Sequence, residues 1–176
     1  MENSHSQNFS IRTAAVEDLQ LIFDLINEMA FYEKRPQDMT GSKEKLRYWL
    51  FERKIATMLI AEFNGETAGY AVYYPAFGSF AAAGKVHLED IFLRERFRFQ
   101  GLGRIFMGKV AARIIAEGYS TLEWNCLAWN RLGIDFYHRL KAQVETGREY
   151  FYFSKNDLER IVLSGGAATD NGLEIN

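Results

Sequence analysis

RFRFQGLGR, residues 96–104, combines three arginines and a glutamine with two glycines directly after an apolar run. A solvated arginine strip has no need of Gly101 and Gly103, so the glycines need another explanation. Glycine lets the backbone close around an anion, and the start of a helix adds free N–H groups and about half a positive charge. The spacing Arg98-x-x-Gly101-x-Gly103 predicts a phosphate-binding turn, and taken alone it also fits an ordinary turn with solvated arginines.

The segments on either side of this turn predict a strand, a turn and a helix. KVHLEDIFL (85–93) has the composition of a buried strand, and residues 101–118 repeat apolar side chains at helical spacing until Gly118, which suits a helix C-cap. STLEWNCLAW (120–129) predicts the next strand. A strand, a helix and a strand in this order form a right-handed crossover between two parallel strands.

The remaining elements follow from the periods of two residues for strands and 3.6 for helices. In chain order they are a strand at 9–14, helices at 19–30 and 42–52, a hairpin of 56–63 and 66–77, a helix at 131–140, a hairpin at 142–153 and a helix at 155–163. Asn64-Gly65 suits the positive φ angles of the first hairpin turn. The chain therefore predicts an α+β fold with a mixed, mostly antiparallel central sheet, one parallel crossover and flanking helices.

Length and composition predict one domain. A chain of 176 residues can bury a substantial core without disulfides or metal, and we expect no bound metal. Both ends are polar and lack a regular apolar pattern. We therefore expect a flexible leader at 1–8, a single domain at 9–164 and a disordered tail at 165–176.

Charge and hydropathy exclude several classes of partner. The formal net charge of −2 gives no reason to expect nucleic acid or an anionic membrane as a partner. No apolar stretch approaches the ~20 residues of a membrane-spanning helix, and the first ten residues lack the apolar core of a signal peptide. Cys126 is the single cysteine, so no internal disulfide can form. We expect a cytoplasmic protein.

Two other phosphate-binding motifs do not match the glycine turn. A P-loop needs Gly-Lys followed by Ser or Thr, which this turn lacks. A dinucleotide-binding fold needs a third glycine and an acidic residue at the end of a following strand, and the chain has neither. The choice of ligand therefore depends on residues farther along the chain.

LEDIFLRERFRFQGLGRIFM (88–107) followed by WNCLAWNRLGIDFYHRL (124–140) resembles the two acetyl-CoA motifs of the GNAT superfamily of N-acetyltransferases. The resemblance spans roughly residues 9–163. Within the superfamily the chain is most similar to the diamine, or spermidine/spermine, acetyltransferases. The segments that carry this closer likeness are MAFYEK (29–34), GYAVYY (69–74), LED (88–90) and AWN…FY (128–137).

The resemblance implies a fold and an activity. The two parallel strands are expected to splay apart at their C-terminal ends and leave a gap for the cofactor. Acetyl-CoA is implied as co-substrate, and its acetyl group would pass directly to a primary amine of a small cationic acceptor, such as a polyamine, a diamine or a lysine analogue. A homodimer is also implied.

The resemblance further implies a path for acetyl-CoA. The glycine turn would hold the pyrophosphate, and the strand end at 91–93 would bind the pantetheine arm, with the Phe92 amide as an oxyanion donor. Residues 123–125 would line the gap, and 130–133 would contact the cofactor from the far side. The expected cofactor-binding residues are Ile91, Phe92, Leu93, Arg98, Phe99, Gln100, Gly101, Leu102, Gly103, Arg104, Glu123, Trp124, Asn125, Asn130, Arg131, Leu132 and Gly133.

Tyr137 matches the tyrosine acid of the family, which would give a proton to the departing thiolate. Glu89 matches the carboxylate near the reacting amine, acting directly or through water, with Asp90 in support. Because successive strand residues point to opposite faces, we expect only one of these two acids to face the acceptor. Tyr32 and Glu33 match the segment that closes over the acceptor.

Four further residues are singled out without a functional role. The family usually continues Tyr-x-x-x-Gly, and Lys141 occupies that glycine position, so we expect a different turn there. His87 and His138 could act as bases, but no acidic residue that would orient either imidazole is evident in the sequence. Cys126 lies in an apolar run and has no evident activating neighbour, which argues against an acyl-cysteine intermediate.

Other functions stay open at this stage. The acceptor could be an amino acid, an antibiotic or a protein α-amine. The chain could also bind CoA as a regulatory module without turnover, although Glu89 and Tyr137 argue for catalysis. A nucleic-acid binder using RERFRFQGLGR (94–104) would need wider basic clustering than the net charge suggests.

Overall fold

The computed structural model describes residues 8–147 and 149–165. By its internal contacts the chain divides into two compact units, one ending at Leu140 and the other beginning at Lys141. Most of the predicted leader and tail lies outside the described residues. The single domain at 9–164 stays a prediction.

Among the described residues, five strands form one sheet in the order β1-β2-β3-β4-β5. The strands are β1 (Phe9–Thr13), β2 (Thr57–Phe63), β3 (Glu66–Gly78), β4 (Ala83–Leu93) and β5 (Leu122–Glu123). The first three pairings are antiparallel, and β4 pairs with β5 in parallel. Asn64 and Gly65 take φ angles of 52° and 79° in the β2–β3 turn, as the sequence predicts. The predicted mixed α+β sheet is confirmed.

The predicted helices are all present. They are α1 (Leu19–Tyr32), α2 (Lys43–Leu46), which continues as a π-helical segment (Arg47–Glu52), α3 (Leu102–Ala116), α4 (Arg131–Arg139) and, in the second unit, α5 (Lys155–Gly165). Ser42 caps α2 by accepting a hydrogen bond from the backbone N–H of Lys45. Three short 3₁₀ turns at 16–18, 36–38 and 95–97 were not predicted.

The apolar faces of α1 and α3 cover opposite faces of the sheet. Phe106 and Val110 of α3 are fully buried in a core that also contains Leu88. Ile22 and Leu25 of α1 are fully buried in a second core, which includes Met58, Tyr70 and Phe92. Each such aliphatic or aromatic side chain contributes about 1.5–3 kcal/mol on burial, so the sheet and both helices are held together by these two cores.

A bulge in β4 changes which of its residues share a face. Val72 pairs with Asp90 and Tyr73 pairs with Leu88, which leaves Glu89 as the extra residue. Before the bulge Leu88 packs in the α3 core, whereas after it Phe92 packs in the α1 core. The expectation that Glu89 and Asp90 point to opposite faces is therefore wrong, because the bulge interrupts the alternation.

The parallel pair β4–β5 is short. Only Val86 with Leu122 and His87 with Glu123 are paired; β5 ends at Glu123, whereas β4 continues to Leu93 and stays paired with β3. The strand predicted at 120–129 is therefore too long, because its residues from 124 onwards leave the sheet. The separation of the two strands opens a gap, as the predicted fold requires.

The second unit contains one regular element among its described residues. The predicted hairpin at 142–153 is wrong, since neither 142–147 nor 149–153 forms a strand. The aromatic run from Tyr150 to Phe153 is 62–85% exposed. High strand propensity does not produce a strand without a partner to pair with. The predicted helix at 155–163 is confirmed as α5.

Candidate active site

A cavity of about 490 Å³ lies in the gap between β4 and β5. Its walls come from the end of α1, the second half of β4, the glycine turn, residues 124–127 and α4. Such a volume is typical of a small-molecule or cofactor site. The divergence of the two strands therefore produces a site of ligand size at the carboxyl ends of the parallel pair.

The glycine turn presents free backbone N–H groups at one end of this cavity. Gly101 has a φ of 79° at the N-terminus of α3, and Phe99 has a φ of 60°. Within the part of the chain that the structure describes, the amides of residues 99–103 donate to no protein acceptor. A Cβ at Gly103 would lie 3.3 Å from the Phe136 ring, so this position needs a small residue. The turn has the geometry of an anion site.

Arg98 links the turn to the end of β4. Its Nε donates a 2.7 Å hydrogen bond to the carbonyl of Leu93, and its guanidinium lies 4.2 Å from the ring centroid of Tyr32. A hydrogen bond to a main-chain carbonyl and a cation–π contact both restrict the arginine side chain. Arg98 and Arg104 both line the cavity and make this end positively charged.

The main chain of β4 offers hydrogen-bonding groups to the gap. The N–H of Arg94 donates to the carbonyl of Ala68 on β3, which assigns the main-chain groups of Arg94 and, by alternation, Phe92 to the β3 side. The main-chain groups of Ile91 and Leu93 then face the gap. An extended ligand arm can therefore pair with Ile91 and with the N–H of Leu93, whose carbonyl already accepts from Arg98. The predicted role of the Phe92 amide as an oxyanion donor is wrong, because that amide points away from the gap.

Tyr137 lies on the inner face of α4. Its ring centroid is 5.0 Å from that of Trp124 and 5.4 Å from that of Phe136. Burial raises the pKa of the Tyr137 phenol well above its ordinary value, and the neighbouring Cys126 adds to this effect. The phenol therefore keeps its proton at neutral pH and can act as a general acid.

Three carboxylates line the opposite part of the cavity. Glu33 follows α1, and Glu89 and Asp90 occupy the bulge of β4. Burial raises the pKa of Asp90 to about 6, with a further increase from the charges of Glu89 and Glu33, while a 2.9 Å hydrogen bond from the Tyr70 hydroxyl opposes it. Burial also raises the pKa of Glu33. This cluster favours a cationic guest.

Most of the sequence-predicted site residues meet at this cavity. Those that line it are Tyr32, Glu33, Glu89, Asp90, Ile91, Phe92, Leu93, Arg98, Phe99, Gly101, Gly103, Arg104, Trp124, Asn125, Asn130, Leu132, Gly133 and Tyr137.

Four predicted residues do not line the cavity. The Leu102 side chain is buried in the core, and the Gln100 side chain donates to the carbonyl of Arg96. The Glu123 carboxylate lies outside the lining and accepts a 2.8 Å hydrogen bond from Lys85. Arg131 is exposed.

Several lining residues were not predicted. They are Met29, Leu88, Phe106, Cys126, Leu127, Phe136, Arg139 and Leu140. Leu132 and Phe136 on α4 and Leu140 at its C-cap follow one another at intervals of four, so helical periodicity could have identified that face. Cys126 and Leu127 lie in the segment that leaves the sheet, for which the strand pattern gave no indication.

Comparison with known proteins assigns the family. Residues 19–141 match the acetyltransferase (GNAT) family. The chain belongs to this family. It is therefore an acetyltransferase, and the family resemblance predicted from the sequence is confirmed.

Two curated relatives and a solved structure illustrate the similarity of this GNAT acetyltransferase to other proteins. It is 34% identical to a thialysine N-epsilon-acetyltransferase of Bos taurus over 79% of this chain and 86% of the relative. It is 36% identical to L-ornithine N5-acetyltransferase NATA1 of Arabidopsis thaliana over 44% of this chain and 34% of the relative. An integron cassette protein of Vibrio cholerae superposes with a TM-score of 0.71 at 22% identity, covering 88% of this chain and 98% of that protein.

The described residues also bear on metal binding and membrane insertion. Residues 8–147 and 149–165 of this GNAT acetyltransferase contain no cluster of three or more His, Cys, Asp or Glu side chains that could hold a metal ion. None of the helices in these ranges is long and apolar enough to cross a membrane.

Proposed function

We propose that this enzyme transfers the acetyl group of acetyl-CoA to a primary amine of a small cationic acceptor. The observation that carries the proposal is the division of one cavity into a turn of free amides with arginines and a cluster of Glu33, Glu89 and Asp90. Anionic phosphates suit the first part and an ammonium group suits the second. The relatives named for thialysine and ornithine acetylation support an acceptor of this class.

The residues of the cavity fit acetyl-CoA. The free amides at 99–103 would hold its pyrophosphate, and the main-chain groups of Ile91 and Leu93 would hold its pantetheine arm. When bound, acetyl-CoA supplies the acetyl group as a reactive thioester. Trp124 and Asn125, in the segment that leaves the sheet, would line the same arm.

Catalysis then requires a neutral amine and a proton donor. Glu89 and Asp90 would attract the protonated amine and accept its proton, since a carboxylate carries a negative charge and can also act as a base. Tyr137, which is protonated at neutral pH and whose pKa is raised further by burial, would give a proton to the thiolate of the leaving CoA. Tyr32 and Glu33 would complete the acceptor end of the cavity.

Two properties of the enzyme in the cell are also part of the proposal. A cytoplasmic location is supported by the free thiol of Cys126, because unpaired cysteines are usual in reducing compartments. A homodimer is supported by the family resemblance. No nucleic acid, membrane or metal has a role in the proposed reaction.

The release of CoA thiol tests the proposed function. The panel comprises spermidine, 1,5-diaminopentane, thialysine, ornithine, an aminoglycoside and a peptide, with pentylamine as the control that lacks the second cation. We expect kcat/KM for the small diamines or basic amino acids to exceed that for pentylamine by about tenfold or more, because a hydrogen bond to a charged group contributes about 1.5–3 kcal/mol. Equal values for diaminopentane and pentylamine, or no thiol release with any amine, would contradict it.

A further inference from the structure

His87 lies between two carboxylates. Its Nε2 is 3.8 Å from Oε2 of Glu89, and its Nδ1 is 3.9 Å from Oε1 of Glu123. The sequence showed no acid positioned to orient His87, because one carboxylate belongs to the β4 bulge and the other to β5. The structure shows that this prediction was wrong, because a carboxylate lies near each ring nitrogen of His87.

The neighbours of His87 restrict its ring. The imidazole stacks on Tyr74 of β3 with centroids 5.1 Å apart, and its side chain is only 17% exposed. Lys85 holds Glu123 by a 2.8 Å bond. The charged and titratable groups around the imidazole are thus Lys85 and Glu89 from β4, Glu123 from β5 and Tyr74 from β3.

The position of this group in the fold suggests a role. His87 and Glu123 form the last pair of the β4–β5 ladder, directly before the strands separate. Glu89 lines the cavity, where a bound acceptor would cover its 58% exposed side chain, whereas Glu123 is 40% exposed and lies outside the lining. His87 therefore connects a carboxylate inside the acceptor site with one outside it.

We propose that His87 is a positioning residue for Glu89 that relays the proton of the acceptor from Glu89 to Glu123 and solvent. The inference rests on the proposed function, which requires an ammonium to lose a proton beside Glu89. Histidine suits a relay because it can accept a proton at one nitrogen and release one from the other near neutral pH.

The proton balance closes without a further reactant. An N–H bond of the acceptor ammonium breaks and an O–H bond forms on Glu89. That proton moves to Nε2 of His87, the proton on Nδ1 moves to Glu123, and Glu123 releases it to water. Between turnovers the imidazole returns to its starting tautomer by taking a proton from water at Nδ1 and releasing one to water from Nε2. The two distances from the imidazole nitrogens to the carboxylate oxygens each exceed a hydrogen-bond length by about 1 Å. One bridging water or a small rotation of the carboxylate side chain would connect each pair.

The substitution His87→Gln tests the relay because glutamine keeps polar groups but cannot change charge. We expect kcat/KM for the acceptor to fall by about tenfold or more at low buffer concentration and to recover as free imidazole is added. The exposed His138 supplies the matched control, and His138→Gln should match wild type at every imidazole concentration. Wild-type rates should not depend on imidazole.

A second variant separates a relay from a structural role. Glu123→Gln should lower kcat/KM for the acceptor as His87→Gln does, and the double variant should be no slower than either single variant, because both block one path. The KM for acetyl-CoA and the urea midpoint should stay at wild-type values in all three.

Three results would overturn the relay while leaving the proposed function intact. They are a wild-type rate in His87→Gln, a loss of rate that imidazole does not restore, and additive losses in the double variant. A rise in the KM for acetyl-CoA in Glu123→Gln would instead place Glu123 beside the pantetheine arm. Absence of amine-dependent thiol release by the wild-type enzyme would overturn the proposed function and the relay together.

Discussion

The Tyr32 hydroxyl donates a 3.0 Å hydrogen bond to Oδ1 of Asn130. Tyr32 is the last residue of α1, and Asn130 caps α4 by accepting a second bond from the N–H of Gly133 at 3.1 Å. Residues 98 positions apart thus meet at the cavity. Because Tyr137 belongs to α4, this contact couples the acceptor end of the site to the proposed acid.

Removing that hydroxyl should affect stability slightly and catalysis more. Tyr32→Phe is expected to lower the free energy of unfolding by about 1 kcal/mol and kcat/KM by about tenfold, since small displacements of catalytic groups are costly. Urea unfolding and CoA release measure the two effects. Tyr48→Phe is the control, because that hydroxyl lies on the surface and accepts a 3.4 Å hydrogen bond from Arg53. Equal behaviour of the two variants would contradict the coupling.

Tyr137→Phe tests whether Tyr137 is the general acid that protonates the leaving thiolate. We expect kcat to fall by about 100-fold or more while the KM for acetyl-CoA changes little, because only the proton donor is lost. The pKa of Tyr137 is raised, so its phenol remains protonated as pH rises. The wild-type kcat should therefore show no loss from tyrosine ionisation over roughly pH 7 to 9. A phenylalanine variant with the wild-type rate and pH profile would remove Tyr137 from the mechanism.

Substitution of Gly101, the N-cap of α3, tests the anion site, and substitution of Gly108 inside α3 provides a control. Gly101→Ala places a side chain at a φ of 79°, which costs about 1–2 kcal/mol and should rotate the amides of the turn. Calorimetry should show weaker CoA binding. Gly108 lies in α3 with open space around it, so Gly108→Ala should stabilise the protein by about 0.5–1 kcal/mol with unchanged CoA binding. Unchanged CoA affinity in Gly101→Ala would exclude the turn as its phosphate site.

The parts of the fold that the sequence predicts are those set by local physics. The apolar spacing of α1 and α3 determines each helix together with the face that it buries. Asn64-Gly65 and Gly101 adopt the positive φ angles for which their residue types are suited. These features depend on residues close together in the chain, so a sequence pattern is sufficient to find them.

The parts that were missed depend on a partner strand. An alternating pattern cannot show that Glu89 is an extra residue opposite Val72 and Tyr73, so both acids were assigned to opposite faces. The length of β5 depends on where β4 stops pairing with it, and the acids beside His87 come from two different strands. Pairing decides each of these features, and composition does not.

Substitution of Lys141 tests whether its left-handed backbone conformation after α4 lowers the stability of the protein. Lys141 adopts a left-handed φ of 61° immediately after the helix, at the position where the family resemblance expects glycine. Lys141→Gly should relieve that conformation and raise the free energy of unfolding by about 0.5–1 kcal/mol. Denaturant unfolding measures the change. The half-buried Lys109→Gly inside α3 is the opposite case and should destabilise the protein by about 1 kcal/mol. Destabilisation by Lys141→Gly would mean that the lysine side chain contributes more than the strain costs.

Asp90 should make stability depend on pH in an unusual direction. Its pKa rises from the ordinary value of 3.8 to about 6 in the folded protein. Between these values the folded state holds more protons than the unfolded state, so the free energy of unfolding falls as pH rises through this window and stays low above it. Asp90→Asn removes this dependence, and its amide oxygen can still accept the hydrogen bond of Tyr70.

The stability of Asp90→Asn relative to wild type should therefore increase by about 2 kcal/mol between roughly pH 4 and 7. Urea unfolding at both pH values measures this, and the exposed Asp135→Asn should show no such increase. The same substitution should weaken turnover of cationic acceptors, because it removes one of three negative charges at that end of the cavity. A stability difference that stays constant with pH would show that Asp90 is ionised in the folded protein as readily as in the unfolded chain.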